Sequence, residues 1–379
     1  MASPPIRVNA SVDLPYYLAF ARVKGIGPAR LKLLKSHFAS IAAAWDADLT
    51  ELTASGLDAK SIHTLIEVRK KIAPERELDR VQKAGATALC WDDADYPNLL
   101  REVADPPPVL FVKGTLTEAD NWAVSIVGTR QCTVYGREVA EMLSTELARN
   151  HITVISGMAR GIDAAAHAAC LKATGRTVAV LGCGVDVVYP PEHKKLAQQI
   201  VEQGAIVSDY PIGTPPDAMN FPPRNRIISG LSMGVIVVEA DDKSGALITT
   251  DFATEQGRDV FAVPGNIFNR SSRGTNKLIQ NGAKMVLDIN SILEELNLNM
   301  VADRVEVQTA MPENETERVL MTKLSHEPLA TDELVRTLQL PAEVVSATLA
   351  LMELKGMVRQ ASGTSYVVAR EPRTEYRIE

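Results

Sequence analysis

The stretch that decides the fold reads Trp122-Ala123-Val124-Ser125-Ile126-Val127-Gly128-Thr129-Arg130. An almost wholly apolar run is followed at once by a glycine and an arginine. Such a run is typical of a buried strand in a parallel sheet, because helices cover both faces of that kind of sheet. The same rhythm recurs along the chain, in apolar runs at 152–155, 177–181, 205–207, 235–238 and 260–263.

Helical patterns separate most of these runs, for instance at 138–149 and 164–173. Strands that alternate with helices predict an α/β fold with a Rossmann-like, doubly wound parallel sheet. Shorter apolar runs at 86–90 and 109–112, in a proline-rich bridge, predict further strands at the edge of that sheet.

Both flanks of the predicted sheet differ from it. The N-terminal flank reads as short helices around Lys24-Gly25-Ile26-Gly27-Pro28, a turn typical of a helix-hairpin-helix module, although a tight turn between packed helices fits it equally well. The C-terminal flank has three helix signals and a hairpin signal, the layout of a winged helix. Its third helix is poor in basic residues, which favours a protein-interaction role as much as contact with a DNA groove.

These patterns predict a division of the chain into six parts. They are a tail (1–12), a helical SAM or helix-hairpin-helix-like domain (13–80), an extended Rossmann-like domain (81–297), a linker (298–314), a winged-helix domain (315–370) and a second tail (371–379).

Composition bounds the class of protein. The chain has 379 residues, 46% of them hydrophobic and 23% charged, as expected of a globular protein of two or three domains. Four scattered cysteines without a C-x-x-C pair predict a reducing compartment, with neither a disulfide framework nor a zinc site. No apolar run reaches the ~18 residues of a membrane span, and the first residues lack a signal-peptide layout. We therefore expect a cytoplasmic protein without a membrane partner.

The net charge of −7 argues against nucleic acid only at first sight, because binding depends on local clusters of charge. The segment 266–284 contains four cations and no acid, whereas acids are concentrated at 294–295 and 313–317. This uneven distribution of charge allows local basic patches on an acidic body.

Glycine-containing loops follow the predicted strands, at the edge where ligands of parallel sheets bind. Five such loops on one edge, three with arginines, predict a groove lined by backbone N–H groups and guanidiniums. They are Gly128-Thr129-Arg130, the loop 156–163 that begins with Ser156-Gly157, Gly182-Cys183-Gly184, Ser244-Gly245, and the segment 264–276 that ends in Arg273-Gly274-Thr275-Asn276.

A second unusual stretch is Asn220-Phe221-Pro222-Pro223-Arg224-Asn225-Arg226-Ile227-Ile228-Ser229-Gly230. Its prolines argue against a helix or a central strand. In an extended segment Arg224 and Arg226 share a face, and beside a phenylalanine they suit a single-stranded polyanion whose bases stack. In a helical turn the two arginines diverge, and one pairs with Glu239 or Asp241. A buried phenylalanine with two ion-paired arginines is the structural alternative.

The sequence lacks the motifs of several nucleotide-binding and catalytic sites. There is no G-x-x-x-x-G-K-[ST] loop for ATP and no third glycine at dinucleotide spacing after Gly182 and Gly184, so no cofactor is expected. Asp163 and His167 stand four residues apart on a helix. A helix N-cap and a half-buried histidine account for them better than an acid–base pair does, and no metal site is predicted.

Taken in order, these motifs resemble the bacterial DNA-processing protein A family, also called Smf. The resemblance rests on 127–130, 156–167, 179–190, 221–232, 237–245 and 257–276, and with the flanks it spans about residues 13 to 370. It implies a non-enzymatic protein of natural transformation that protects incoming single-stranded DNA and loads the RecA recombinase onto it. It also implies a homodimer formed through the Rossmann-like domain.

The resemblance implies specific DNA contacts as well. They are Gly128, Thr129 and Arg130, then Phe221, Arg224, Asn225 and Arg226, and further Ser156, Gly157, Lys172, Arg273, Gly274, Thr275 and Asn276.

Two alternatives belong to other classes. The sheet is also similar to the lysine-decarboxylase-like nucleoside-monophosphate phosphoribohydrolases, whose P-G-G-x-G-T motif is followed by a catalytic glutamate. Here Pro264-Gly265-Asn266 lacks the second glycine and the acid, so no base would activate water. The other alternative is a nucleotide-sensing interaction module.

Overall fold

The computed structural model describes residues 12–298, 315–324, 329–338, 340–354, 358–362 and 365–368. The chain divides into two compact units, one up to Leu298 and one from Asn299 onward. The predicted tail 371–379 and nearly all of the predicted tail 1–12 and linker 298–314 lie outside the described residues.

The first unit alternates helices and strands. Its helices are α1 (Leu14–Phe20), α2 (Pro28–His37), α3 (Ile41–Asp46), α4 (Leu49–Ala54), α5 (Ala59–Arg69), α6 (Pro74–Lys83), α7 (Asn98–Arg101), α8 (Val134–Arg149), α9 (Ile162–Lys172), α10 (Lys194–Gln203), α11 (Phe221–Gly230), α12 (Ala246–Glu255), α13 (Arg273–Gln280) and α14 (Ile289–Glu295). Its strands are β1 (Thr87–Cys90), β2 (Val109–Gly114), β3 (Ala123–Val127), β4 (Thr153–Ser156), β5 (Thr177–Val180), β6 (Ala205–Ser208), β7 (Gly234–Val237), β8 (Asp259–Ala262) and β9 (Lys284–Met285).

The strands form one nine-stranded sheet in the order β1-β2-β6-β5-β4-β3-β7-β8-β9. Strands β3 to β9 run parallel, and β1 and β2 join the β6 edge as an antiparallel pair. The predicted parallel sheet and its added edge strands are confirmed. The winding reverses between β3 and β7, so the loops that follow these two strands diverge and leave a crevice between them.

Two apolar cores cover the two faces of the sheet. The first joins the N-terminal helices to the sheet, with Tyr17 and Leu65 in the same cluster as Ile200 and Ile206. The second lies under α7, α11 and α12 and contains Leu100 and Ile227. The N-terminal helices therefore belong to the same packed body as the sheet.

The prediction that the prolines keep 220–230 out of a helix is wrong. The segment forms α11, and Pro222 and Pro223 lie in its first turn. Backbone N–H groups in a first turn have no partner within the helix, so proline removes no hydrogen bond there, and its fixed φ suits the helix start.

The described residues of the second unit form the predicted three helices and hairpin. They are α15 (Glu315–Lys323), β10 (Leu329–Ala330), α16 (Thr331–Leu338), α17 (Ala342–Leu354), β11 (Val358–Ser362) and β12 (Ser365–Val368). Its strands are arranged as β10-β12-β11, and Leu320, Leu334 and Leu349 are part of its core. Within the described residues of both units, no helix is both long and apolar enough to span a membrane.

Candidate functional site

A cleft of about 590 Å³ opens at the crevice where β3 and β7 end. The loop after β3, the first turns of α11 and the loop that enters α12 form its walls. It brings together six of the predicted DNA-contacting residues, namely Gly128, Thr129, Arg130, Phe221, Arg224 and Asn225.

The cleft also contains residues that the sequence analysis did not assign to DNA. Tyr189, Pro216 and Ala218 come from loops on the β5 and β6 side, and Asp163 comes from the first turn of α9. An aromatic residue in a loop after a parallel strand is the signal that could have found Tyr189.

The Phe221 ring is fixed by contacts on several sides. It packs on Gly182, where a Cβ atom would lie 2.8 Å from the ring. The Tyr189 ring lies beside it, with 5.6 Å between the ring centroids. The guanidiniums of Arg130 and Arg224 lie 5.6 and 5.9 Å from its centroid, within the range of cation–π attraction. The half-buried ring thus holds two cations close together in the cleft.

Arg224 is a buried cation with unused hydrogen-bonding capacity. It is 5% exposed, its Nη2 donates to the Gly157 carbonyl at 3.2 Å, and its Nε has no partner among the described residues. A Cβ atom at Gly157 would lie 1.9 Å from Nη1, so only glycine leaves room for the guanidinium. A buried charge with a free donor is well suited to binding an anion in the cleft.

Asp163 provides the opposing charge. Its carboxylate accepts the backbone N–H groups of Gly157 at 3.1 Å and Ala159 at 3.3 Å. Burial raises the pKa of Asp163, and the nearby Arg224 opposes that rise. Burial lowers the pKa of Arg224, and Asp163 opposes that change. The pair fixes the 156–163 loop against α11.

The predicted N-cap role of Asp163 and the predicted half-burial of His167 are both wrong. Gly161 is the N-cap of α9, and Asp163 instead binds the loop that precedes the helix. His167 is completely buried, with Nδ1 2.7 Å from the Thr177 hydroxyl. Burial, together with the charges of His193 and Arg224, lowers the pKa of His167 to about 3. This histidine is a neutral part of the core.

The loop that carries Arg130 is anchored by Glu239, which follows β7. The Glu239 carbonyl accepts the Thr129 N–H at 2.8 Å. The buried Glu239 carboxylate accepts the N–H of Thr133 at 2.9 Å and its hydroxyl at 2.6 Å. Arg130 itself is exposed, so a rigid loop presents its guanidinium to solvent at the mouth of the cleft.

Of the two alternatives for Arg224 and Arg226, the structure has the helical one, in which the side chains diverge because two positions in a helix differ by about 200°. Arg226 points away from the cleft, where Nη2 donates to Asp209 at 2.8 Å and Nη1 donates to the Asp105 carbonyl at 2.6 Å. For a helical turn, the sequence analysis expected one of the two arginines to pair with Glu239 or Asp241. Arg226 does form an ion pair, but its partner is Asp209. The contact of Arg226 with DNA stays a prediction. Asn225 stays beside the cleft and donates to the Gly245 carbonyl at 3.2 Å.

The remaining predicted contacts lie outside the cleft. Ser156 is buried and donates to the Ile126 carbonyl, and Gly157 lies behind Arg224. Lys172 is exposed at the C-terminal end of α9, about 15 Å along the helix from the cleft edge.

The four predicted residues of α13 are likewise separate from the cleft. Gly274 donates its N–H to the Ala240 carbonyl, and Thr275 is buried. Asn276 binds both backbone groups of Gly265, and Arg273 is exposed on the β8 side of the sheet edge. Among the residues that the structure describes, no cluster of His, Cys, Asp and Glu side chains could hold a metal ion.

Comparison with known proteins agrees with this architecture. A family model described as DNA recombination-mediator protein A matches residues 87–297, and one described as the DprA winged helix domain matches residues 305–364. A protein named Smf from Synechocystis sp. is 37% identical over 394 aligned residues, which cover 94% of this chain and 99% of that protein.

Two solved structures are similar as well. The X-ray structure of DNA processing protein A from Streptococcus pneumoniae is 36% identical, with a TM-score of 0.63, and the match covers 74% of this chain and 96% of that one. A structure of DNA processing protein A from Helicobacter pylori is 30% identical, with a TM-score of 0.51, and covers 56% of this chain and 95% of that one. The latter was described for its single-stranded DNA binding mode.

Proposed function

The chain belongs to the DNA processing protein A family, and on that premise we propose that it binds incoming single-stranded DNA during natural transformation. The observation that carries the proposal is the cleft in which the guanidiniums of Arg130 and Arg224 lie 5.6 and 5.9 Å from the centroid of the Phe221 ring. Cations next to an aromatic ring match the two features of a single strand, a charged backbone and bases that stack. The single-strand binding described for the Helicobacter pylori relative supports the proposal.

We assign different roles in DNA binding to the residues of the cleft. The exposed Arg130 attracts and contacts a backbone phosphate, and the buried Arg224 offers its unpartnered Nε to a phosphate that enters the cleft. A base stacks on the exposed part of Phe221. Because Asp163 is the only acid among the residues that line the cleft and its charge is compensated by Arg224, the cleft favours an anion.

We further propose that the protein acts without catalysis. The Asp163 carboxylate already accepts two backbone N–H groups, which leaves it poorly suited to activate water. The sequence also lacks the second glycine and the glutamate of the phosphoribohydrolase motif. Incubation of the pure protein with nucleoside monophosphates should release no free base, and release of base would support the enzyme alternative.

Loading of RecA and formation of a homodimer through the Rossmann-like domain complete the proposal. The dimer is supported by the β9 edge of the sheet, where Met285 is 46% exposed and Leu287 is 72% exposed. Leu287→Asp should shift the sedimenting species to the monomer. RecA loading is tested by RecA filament assembly on a strand coated with single-stranded DNA-binding protein, which this protein should accelerate.

The decisive test of DNA binding uses a labelled oligothymidylate and fluorescence anisotropy at several salt concentrations. Arg130→Ala should weaken binding and lower the log–log salt slope by about 0.7, the contribution of one phosphate on a single strand. Lys172→Ala is the control, because Lys172 is an exposed cation of the same unit at the end of α9, about 15 Å along that helix from the cleft edge. Equal loss in both variants, or in neither, would argue against this cleft.

A further inference from the structure

A largely exposed phenylalanine lies at the same edge of the sheet as the cleft. The loop between β8 and α13 presents Ile267, which is 73% exposed, and Phe268, which is 84% exposed. Two adjacent, largely exposed apolar side chains give up the free energy of burial. Such a cost is typical of a surface that binds a partner.

The loop is held in this conformation by its own hydrogen bonds. The Asn266 side chain accepts the N–H of Phe268 at 2.9 Å. At the base of the loop, the Asn276 side chain binds the N–H and the carbonyl of Gly265 at 3.1 and 2.9 Å. The Tyr135 hydroxyl donates to the Pro264 carbonyl at 3.1 Å. Phe268 is therefore presented by an ordered loop, so little conformational entropy is lost when it binds a partner.

The charge around the loop favours an anionic partner. Arg273 and Lys277 are exposed on α13, and no carboxylate of the described residues lies within ion-pair distance of either. Two acids, Asp241 and Asp242, lie in the loop after β7. Arg270 forms an ion pair with Asp241 and compensates its charge, whereas Asp242 is exposed. An exposed aromatic ring on the β8–α13 loop, followed by exposed cations on α13, is the combination that binds single-stranded nucleic acid.

The position of the loop connects it to the cleft. The cleft opens between β3 and β7, and β8 is the next strand, so the β8 loop lies about two strand spacings, roughly 10 Å, from the β3 loop. Tyr135 lies between them, because it is in the first turn of α8, directly after the loop that carries Arg130.

We propose that Phe268, with Arg273 and Lys277, forms a second stacking platform, which binds the part of the DNA strand that leaves the cleft on the β8 side. The proposal rests on the proposed function of the cleft and extends it. A short oligonucleotide occupies the cleft alone, whereas a longer one reaches Phe268. The bound strand then runs along the carboxyl edge of the sheet from β3 toward β8.

The test compares a thymidine dinucleotide, which at about 3.4 Å per nucleotide is too short to span the distance between the two loops, with an oligothymidylate of about 16 nucleotides, the upper site size of single-strand-binding domains. Phe268→Ala should weaken binding of the longer strand about five- to hundredfold, the effect of one stacked base, and leave the shorter strand unaffected. Phe268→Trp should keep the affinity, and Phe268→Leu, which retains apolar area without a ring, should lose it. Leu49→Ala is the matched control, since Leu49 is an exposed apolar residue on α4 of the N-terminal helices.

The outcomes separate this proposal from the function on which it rests. If the wild-type protein binds neither oligonucleotide, the cleft assignment fails first. If wild type binds both and Phe268→Ala binds the longer strand equally well, the platform is overturned. It is also overturned if Phe268→Ala turns a sedimenting dimer into a monomer, because the loop is then a contact between two copies of the chain.

Discussion

Removal of Arg226 provides the sharpest test of how α11 divides its two arginines. The Arg226 side chain is 10% exposed and its partner Asp209 is 16% exposed. Removal of one member of a buried ion pair leaves the other charge uncompensated, which costs about 3–5 kcal/mol. Burial already raises the pKa of Asp209 and Arg226 opposes that rise, so without Arg226 the pKa of this carboxyl rises further. We expect Arg226→Ala to lower the free energy of unfolding of the first unit by this amount.

DNA binding by the folded fraction should remain unchanged in Arg226→Ala, because the side chain points away from the cleft. The assay combines urea denaturation with oligothymidylate titrations at several salt concentrations. The double variant Arg226→Met with Asp209→Leu should regain most of the lost stability, because it leaves no unpaired charge. A variant of Arg226 with unchanged stability and a salt slope lower by about 0.7 would refute the reasoning and restore Arg226 as a DNA contact.

Three further predictions concern the cleft and the core beneath it. Phe221→Ala should weaken oligothymidylate binding about five- to hundredfold in an anisotropy titration, and equal affinity would exclude a stacked base. Gly157→Ala should weaken binding as much as Arg224→Ala does in the same titration, because its Cβ occupies the place of the guanidinium; wild-type affinity would show that the guanidinium can move without loss. His167 binds a proton in the unfolded chain below about pH 6.5 but in the folded protein only near pH 3, so stability falls as pH drops between these values. Its contribution at pH 5 is a loss of about 2 kcal/mol relative to pH 8, and the difference in unfolding free energy between these pH values should be smaller by that amount in His167→Asn.

The sheet could be predicted from sequence because its strands are buried on both faces. The run ending at Val127, for example, is a strand within a residue of its predicted start. Continuous apolar runs of this kind have few alternatives once helices separate them. The edge strands were predictable for the same reason, since the run beginning at Val109 is also apolar throughout.

The interior of the cleft was less predictable, because it depends on one local conformation. The sequence shows two prolines near the start of a helix, but it does not show whether they precede the helix or lie in its first turn. Here they lie in the first turn, and this determines where Arg224 and Arg226 point. The partner of Arg226 is Asp209, which lies on a different loop and is brought near only by the order of the strands. A pairing of this kind depends on the tertiary structure and has no local sequence pattern.

The glycines of the cleft have a different role from the one that the sequence suggested. The sequence predicted that the loops of Gly157 and Gly182 line a groove with backbone N–H groups, but the space beside both glycines is occupied by side chains of α11, Arg224 and Phe221. A free arginine loses up to ~2 kcal/mol of rotamer entropy when a ligand orders it. Because Gly157 and Gly182 admit these two side chains against the loops, that entropy is lost during folding and not during DNA binding. We therefore expect a side chain at either glycine to lower the affinity for DNA by displacing Arg224 or Phe221.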